Sequence, residues 1–395
     1  MHAVGTEAVA AAHRAALLVA CAMACIAWST VAAAQETRRH GPNNAITDVE
    51  GILVGHHERT DGDYQTGVTV VWAPGQAVGS VYVGGGWPGT INTDVLQPAR
   101  AGQKIDVAFM TGGSYYGLRA FGGIMEWLEQ GRYGMPSLPG HVNPLVAGAV
   151  VWDLNRGGAF DARPTQEFGV AAMKAARSGP VAQGNVGAGA GTRAFGGLAL
   201  KGGVGTASAV FGGITVGVIA VVNAAGTPVD LQDCSLRGTF INVQNEFAGY
   251  RSPSKTDCDA LKKVRNIPVS SSGLDTYRFA LASADADDGS GPHANTTLSV
   301  VATNAVLTKA QALQLAVAVN NGNAAVIQPF NTGDDGDAVF AMATGKVDID
   351  TGRFETLLTI AKEVAGRSIA HAMLKATSAR TLQSYCDALP SACRR

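Results

Sequence analysis

The sequence predicts an α+β fold in which two packed sheets are flanked by helices. Three observations carry that expectation. Several strand-like segments are apolar throughout, so their sheets need cover on both faces. Helical periodicity recurs in four longer segments. The 50 glycines among 395 residues fall in short clusters, such as Gly84-Gly85-Gly86 and Gly112-Gly113, with no fixed period. Such clusters suit tight turns and close layer packing. A chain that is 46% hydrophobic and 15% charged is a folded globular one. Its net charge of -1 gives no basic footprint for nucleic acid.

Residues 1–34 read as a segment outside the fold. Arg14 precedes an apolar run over 15–28, and Ala32-Ala33-Ala34 offers a small-residue cleavage site before Gln35. That pattern is a secretory signal peptide. Leu18-Val19-Ala20-Cys21 resembles a lipidation site, but the apolar run continues well past Cys21. The expected location is therefore exported and periplasmic, with secretion as the alternative, and without a membrane anchor once the signal is removed.

Strands are expected at residues 67–72, 80–83, 107–110, 214–222, 298–303 and 338–343. Helices are expected at 117–130, 167–177, 309–319 and 354–376. Thr308 suits the N-cap of the third helix, and Gly366 interrupts the fourth. Residues 227–291 are polar and turn-rich, and read as a long surface excursion. The exported chain would keep Cys234, Cys258, Cys386 and Cys393. Proximity favours the pairs Cys234–Cys258 and Cys386–Cys393. No cysteine or histidine spacing fits a zinc site, and no metal or organic cofactor is expected.

No phosphate-binding loop is present, and Gly187-Ala188-Gly189-Ala190-Gly191 lacks the spacing and acidic partner of a dinucleotide fingerprint. Gly112-Gly113-Ser114-Tyr115 misses a nucleophile elbow by one residue, and a turn capped by Ser114 is the simpler reading. Asn295-Thr296-Thr297 matches a glycosylation sequon, yet it opens the apolar run 298–303 directly after an acidic, glycine-containing loop. A hydroxyl residue at the start of a buried strand suits an N-terminal nucleophile. Cleavage before Thr296 would give one residue both a nucleophilic hydroxyl and a basic amine. Asp335 and Asp337 alternate at the start of a strand and so would share a face. Asn223, ending an apolar run, starts a turn or supplies an oxyanion donor.

Taken in order, these segments resemble the P1 (S58) family of self-processing aminopeptidases, which includes the L-aminopeptidase/D-esterase DmpA, β-peptidyl aminopeptidases and hydrolases of nylon oligomers. The carrying motifs include Val49-Glu50-Gly51-Ile52-Leu53-Val54-Gly55-His56, Gly85-Gly86-Trp87-Pro88-Gly89-Thr90, Thr111-Gly112-Gly113-Ser114, Gly184-Asn185-Val186-Gly187 and Lys201-Gly202-Gly203-Val204-Gly205-Thr206. Asn295-Thr296-Thr297 and Asp335-Gly336-Asp337 complete the series.

The resemblance implies a four-layer αββα sandwich of the DmpA/ornithine acetyltransferase-like, N-terminal-nucleophile type. It implies cleavage between Asn295 and Thr296, giving an N-terminal fragment 35–295 and a C-terminal fragment 296–395 that together form one catalytic domain. It also implies that Thr296 is the nucleophile, that Asp335 and Asp337 match the family's paired acids and that Asn223 matches its oxyanion Asn. Relatives assemble several such two-fragment units, so a homo-oligomer is implied. The expected substrate is a small peptide, amide or ester. Trp152, Ser114 and Tyr115 are candidates for substrate contact, Trp152 being the aromatic near the place where some relatives use a Tyr. A hydrolase using Ser114, and a catalytically silent exported binding protein on the same scaffold, are the alternatives.

Overall fold

The computed structural model describes residues 38–102, 104–194, 197–265, 267 and 295–393. The leader at 1–34 and the loop at 285–292 lie outside the described residues. Arg39–Arg395 forms one compact unit.

Nine strands make one hydrogen-bonded network: β1 (Leu53–Arg59), β2 (Thr66–Val83), β3 (Thr90–Ile91), β4 (Lys104–Thr111), β5 (Val146–Val150), β6 (Gly203–Phe211), β7 (Ile214–Asn223), β8 (Thr296–Ala305) and β9 (Ala338–Val347). Their order is β6-β7-β8-β9-β2-β4-β5-β3, with β1 on β2. The long strand β2 serves two leaves. Its first half pairs with β1, its second half pairs with β9, and β4 follows both across an irregularity between Trp72 and Ala77. The segments expected at 67–72 and 80–83 are thus one strand carried through Pro74-Gly75.

Alternation of side chains sorts the layers. Val71, Ala108, Met110, Val300, Phe340 and Met342 face a central core shared by both leaves. Val68, Val70, Val107 and Phe109 face outward onto α1 (Ala120–Gln130) and α2 (Gln166–Ala175). Val218, Val301, Val339 and Ala341 face outward the other way. They meet α4 (Lys309–Val326) and α5 (Thr351–Lys375), which follow the short α3 (Lys255–Val264). The result is the expected four-layer αββα arrangement. β4, β5, β7, β8 and most of β9 are covered on both faces, which is why these strands read as continuous apolar runs.

Thr308 caps α4 as expected, accepting from the Gln311 N–H at 3.2 Å while Gln311 reaches back to the Thr308 N–H at 2.9 Å. Gly366 does not break α5. A side chain there would meet Ile241 at 2.8 Å, so the glycine marks a close approach. Both expected disulfides form, Cys234–Cys258 and Cys386–Cys393, each with Cα atoms 5.5 Å apart.

One expectation is corrected. Residues 227–265 are not a surface excursion, because Val229, Leu231, Leu236, Phe247 and Leu261 build a second buried cluster against Ile369 and Met373 of α5. The Cys234–Cys258 bridge lies inside that cluster. The apolar residues there are spaced irregularly, so no period reveals them in the sequence. Residue 266 and the rest of the expected stretch, 268–291, fall outside the described residues.

Candidate active site

Strand register collects the site. β7 runs antiparallel to β8 and pairs Asn223, its last residue, with Thr296, the first residue of β8. β9 runs parallel to β8 on the other side, so the loop before it, carrying Asp335-Gly336-Asp337, arrives at the same end of the sheet. Thr296, Asn223, Asp335 and Asp337 are all buried there.

Each group is held by the backbone around it. Asp337 accepts the Thr297 N–H on one carboxylate oxygen at 2.6 Å and the Asn331 N–H on the other at 3.0 Å. The Thr332 hydroxyl donates to Asp335 at 2.8 Å. The acidic loop rests on the glycine cluster after β2. Gly84 and Gly85 donate to the Asp337 carbonyl at 2.9 and 3.1 Å, and Trp87 donates to the Asp335 carbonyl at 2.8 Å. A Cβ at Gly85 would lie 2.3 Å from the Asp335 carbonyl oxygen, so only glycine permits this contact. Burial raises both carboxyls, Asp335 to about 6. Asp337 goes well above the usual range, because Asp335 adds like charge to the burial.

The Asn295 carbonyl, which belongs to the bond before Thr296, meets two groups. The Thr296 hydroxyl contacts it, and the Gly336 N–H donates to it at 3.2 Å. Gly336 is itself pressed on the nucleophile candidate: a Cβ there would stand 2.6 Å from Thr296 Oγ1.

A pocket opens beside Thr296, lined by Trp87, Gly89, Ser114, Tyr115, Val150 and Trp152. The three residues proposed from sequence as substrate contacts therefore share one cavity with the candidate nucleophile. Ser114 follows Gly113 in a second left-handed step, with φ 51° after φ 80°, at the turn between β4 and α1. The Gly113 N–H is fixed by Asp153 at 2.7 Å.

Several residues at the site were not legible in the sequence. Trp87 stands in a glycine-rich motif without any sign that it walls a pocket. Arg156 and Lys201 are buried cations. Arg156 donates to Asn223 Oδ1 at 2.5 Å, and Lys201 donates to the Gly189 and Gly202 carbonyls at 2.7 and 3.0 Å. Burial brings the Lys201 amine down to about 7. No period marks a buried cation, and the motif that opens on Lys201 does not reveal that its amine is buried, since only tertiary partners make such burial tolerable.

The chain matches the family model of peptidase family S58 over residues 44–386. It is 38% identical to an uncharacterized aminopeptidase of Mycobacterium leprae, over 89% of this chain and 96% of that one. It is 28% identical to a 6-aminohexanoate-oligomer endohydrolase of Paenarthrobacter ureafaciens, over 83% and 84%. In three dimensions it is similar to a Burkholderia sp. beta-aminopeptidase, with a TM-score of 0.61 at 22% identity over 90% of this chain and 96% of that one. It is also similar to the L-aminopeptidase D-Ala-esterase/amidase of Ochrobactrum anthropi, described as a variant of the Ntn hydrolase fold, with a TM-score of 0.59 at 19% identity over 85% and 87%. On the family match and the curated relatives, this chain belongs to peptidase family S58 and is a peptidase-type hydrolase.

Proposed function

We propose that the chain is a self-cleaving aminopeptidase or amidase whose nucleophile is Thr296. The observation that carries this reading is the meeting of the Thr296 hydroxyl, the Asn295 carbonyl and the Gly336 N–H beside a pocket that Thr296 itself lines.

In maturation, Thr296 Oγ attacks the Asn295 carbonyl carbon and its proton passes to the departing Thr296 nitrogen. The peptide becomes an ester, and water then resolves that ester. Gly336 N–H stabilises the oxyanion of this step. The freed α-amine has an ordinary pKa of about 7.7–8.0, so it can take the hydroxyl proton near neutral pH. In turnover the substrate acylates Thr296, its amine leaves and water deacylates the enzyme. Asn223 donates to the oxyanion, and Asp335 and Asp337 hold the new ammonium.

Trp87, Tyr115 and Trp152 bring three aromatic side chains to a pocket whose exposed lining is polar and apolar in near-equal measure, with Ser114 among its polar groups. It therefore suits a small acyl group with both apolar and hydrogen-bonding parts, released from a small peptide, amino acid amide or ester. The two disulfides support an exported protein; processing at a signal peptide and assembly as a homo-oligomer of two-fragment units are proposed from the leader pattern and the family resemblance.

Mass spectrometry of the purified protein tests the central claim. Wild type should give two fragments, the smaller starting at Thr296, and Thr296→Ala should remain one chain without activity on aminoacyl p-nitroanilides. Two fragments from Thr296→Ala would rule the mechanism out.

A further inference from the structure

We propose that Arg156 is the positioning residue for the oxyanion donor, holding Asn223 by its amide oxygen so that the Nδ2 end serves the intermediate on Thr296. The inference rests on the reading of Thr296 and Asn223 given above and adds a group that acts through Asn223.

An Asn side chain has two ends of nearly equal shape and opposite hydrogen-bonding sense. Only one end can donate to an oxyanion, so an oxyanion Asn must be kept from turning over. Asn223 is fully buried at the end of β7, opposite Thr296. Two donors converge on its Oδ1: Arg156 Nη1 at 2.5 Å and the Arg193 backbone N–H at 3.1 Å. Reversing the amide would set an NH₂ group against both donors and sacrifice a charge-assisted bond. A cation on the amide oxygen also draws electron density from the nitrogen, which makes Nδ2–H the stronger donor.

Arg156 is in turn fixed to the pocket. The same Nη1 donates to the Trp152 carbonyl at 2.7 Å. Asp153, beside it in sequence, carries the Gly113 N–H at the turn that leads into Ser114 and Tyr115. One short segment, 152–156, thus supplies a pocket-lining residue, the anchor of the turn that leads into Ser114 and Tyr115, and the clamp on the oxyanion amide. Arg156 is only 6% exposed, and a guanidinium at that depth is costly to keep. Burial lowers its pKa to about 10, which leaves it charged at neutral pH.

The test compares Arg156→Met, Arg156→Lys and Asn223→Ala with wild type. Processing is followed by mass spectrometry, folding by circular dichroism, and kcat and KM are measured on an aminoacyl p-nitroanilide per processed molecule. Loss of one oxyanion donor costs about 10²–10³ in kcat, so loss of its positioning should cost about 10–100-fold with KM nearly unchanged. Arg156→Lys should fall between, and added methylguanidinium should restore part of the Arg156→Met kcat. A folded, processed Arg156→Met enzyme with wild-type kcat, or one impaired only in KM and unresponsive to methylguanidinium, overturns the inference. If Arg156→Met stalls in processing, processed Arg156→Lys decides: a lower kcat at unchanged KM supports the inference and an unchanged kcat overturns it. An Asn223→Ala enzyme with wild-type kcat would instead sink the underlying reading of the oxyanion donor.

Discussion

At the scale of single residues, the two buried carboxyls have the sharpest consequence. Burial holds Asp335 at about 6 and Asp337 well above its ordinary value. An unfolded Asp titrates at about 3.9, so the folded state prefers the protonated form. The resulting stabilisation is complete below about pH 4 and is lost as pH rises through about 6. In the uncut Thr296→Ala chain no Thr296 ammonium can offset the developing charge. Its melting temperature should therefore fall as pH rises across that window. Adding Asp335→Asn should make the fall shallower, because one of the two carboxyls no longer ionises. An equally steep fall in the double variant would show that Asp335 is not the group that titrates. The acids and the threonine were legible in sequence because they flank strand starts, where local pattern and chemistry coincide: Thr296 opens β8, and the acids lie in the loop just before β9 and not on the strand face expected for them. Arg156 was not, because its role comes from a residue 67 positions away.

At the scale of elements, Gly336 couples the acidic loop to β8. Its missing side chain leaves room for Thr296 Oγ1, which a Cβ would approach to 2.6 Å. Neither flanking contact involves the Gly336 side: Asp337 would still accept from Thr297 and Asn331, and Asp335 from Thr332. Gly336→Ala should thus fold, with a melting temperature close to wild type, yet process itself at least about tenfold more slowly, since reacting atoms need near-attack geometry. Time-resolved gel analysis measures that rate, and an unimpaired rate would mean the loop yields freely. The 227–265 segment is held differently. Cys234–Cys258 closes a span of 24 residues inside a buried cluster. A loop of that size contributes about 3 kcal/mol. Urea unfolding of the uncut chain with both cysteines changed to Ala should show a loss of that order, and no loss would place the stability of the segment in its apolar contacts alone.

Sequence patterns fared unevenly among these elements for a physical reason. The core strands β7, β8 and β9 carry long, largely apolar runs and were legible. β6 alternates glycine with small residues, so it shows no apolar period. A Cβ at Gly205 would lie 2.1 Å from the Ser368 carbonyl oxygen, so the glycine exists to let α5 approach. β1 carries His56, His57, Glu58 and Arg59; it pairs along its length with β2 on one side and makes a single bridge, Val54 to Arg177, on the other. Edge position, which no local window reveals, is what makes that composition tolerable.

At the scale of the whole molecule, cleavage before Thr296 would leave the two fragments joined by packing and hydrogen bonds alone. β8 would then belong to the C-terminal fragment while pairing with β7 of the N-terminal one over eight residues from Val216 to Asn223. A second tie is ionic. Glu246 of the N-terminal fragment meets Arg367 and His371 of α5, with Arg367 Nη2 at 3.0 Å and His371 Nε2 at 2.8 Å. Arg367 continues to the Ser208 carbonyl at 2.8 Å and to Asn44 at 2.7 Å. Burial by itself would raise the Glu246 carboxyl, but hydrogen bonds from His371 and Arg367 outweigh it and hold the group at about 2. A depressed carboxyl stabilises above its unfolded value of about 4.3, and that contribution is lost as pH falls toward 2. The processed protein should elute as one species at neutral pH and come apart between about pH 4 and 2. Glu246→Gln should weaken the association already at neutral pH, because Arg367 then lies buried without its carboxylate, a loss of about 3–5 kcal/mol for a broken buried pair. The same variant should show a flatter acid profile below pH 4, since the group that titrates there is gone. Size-exclusion chromatography across that range, with both fragments identified by mass, decides the matter. Identical acid profiles for wild type and Glu246→Gln would assign the union of the fragments to the β7–β8 ladder and the cores, not to the ionic clamp.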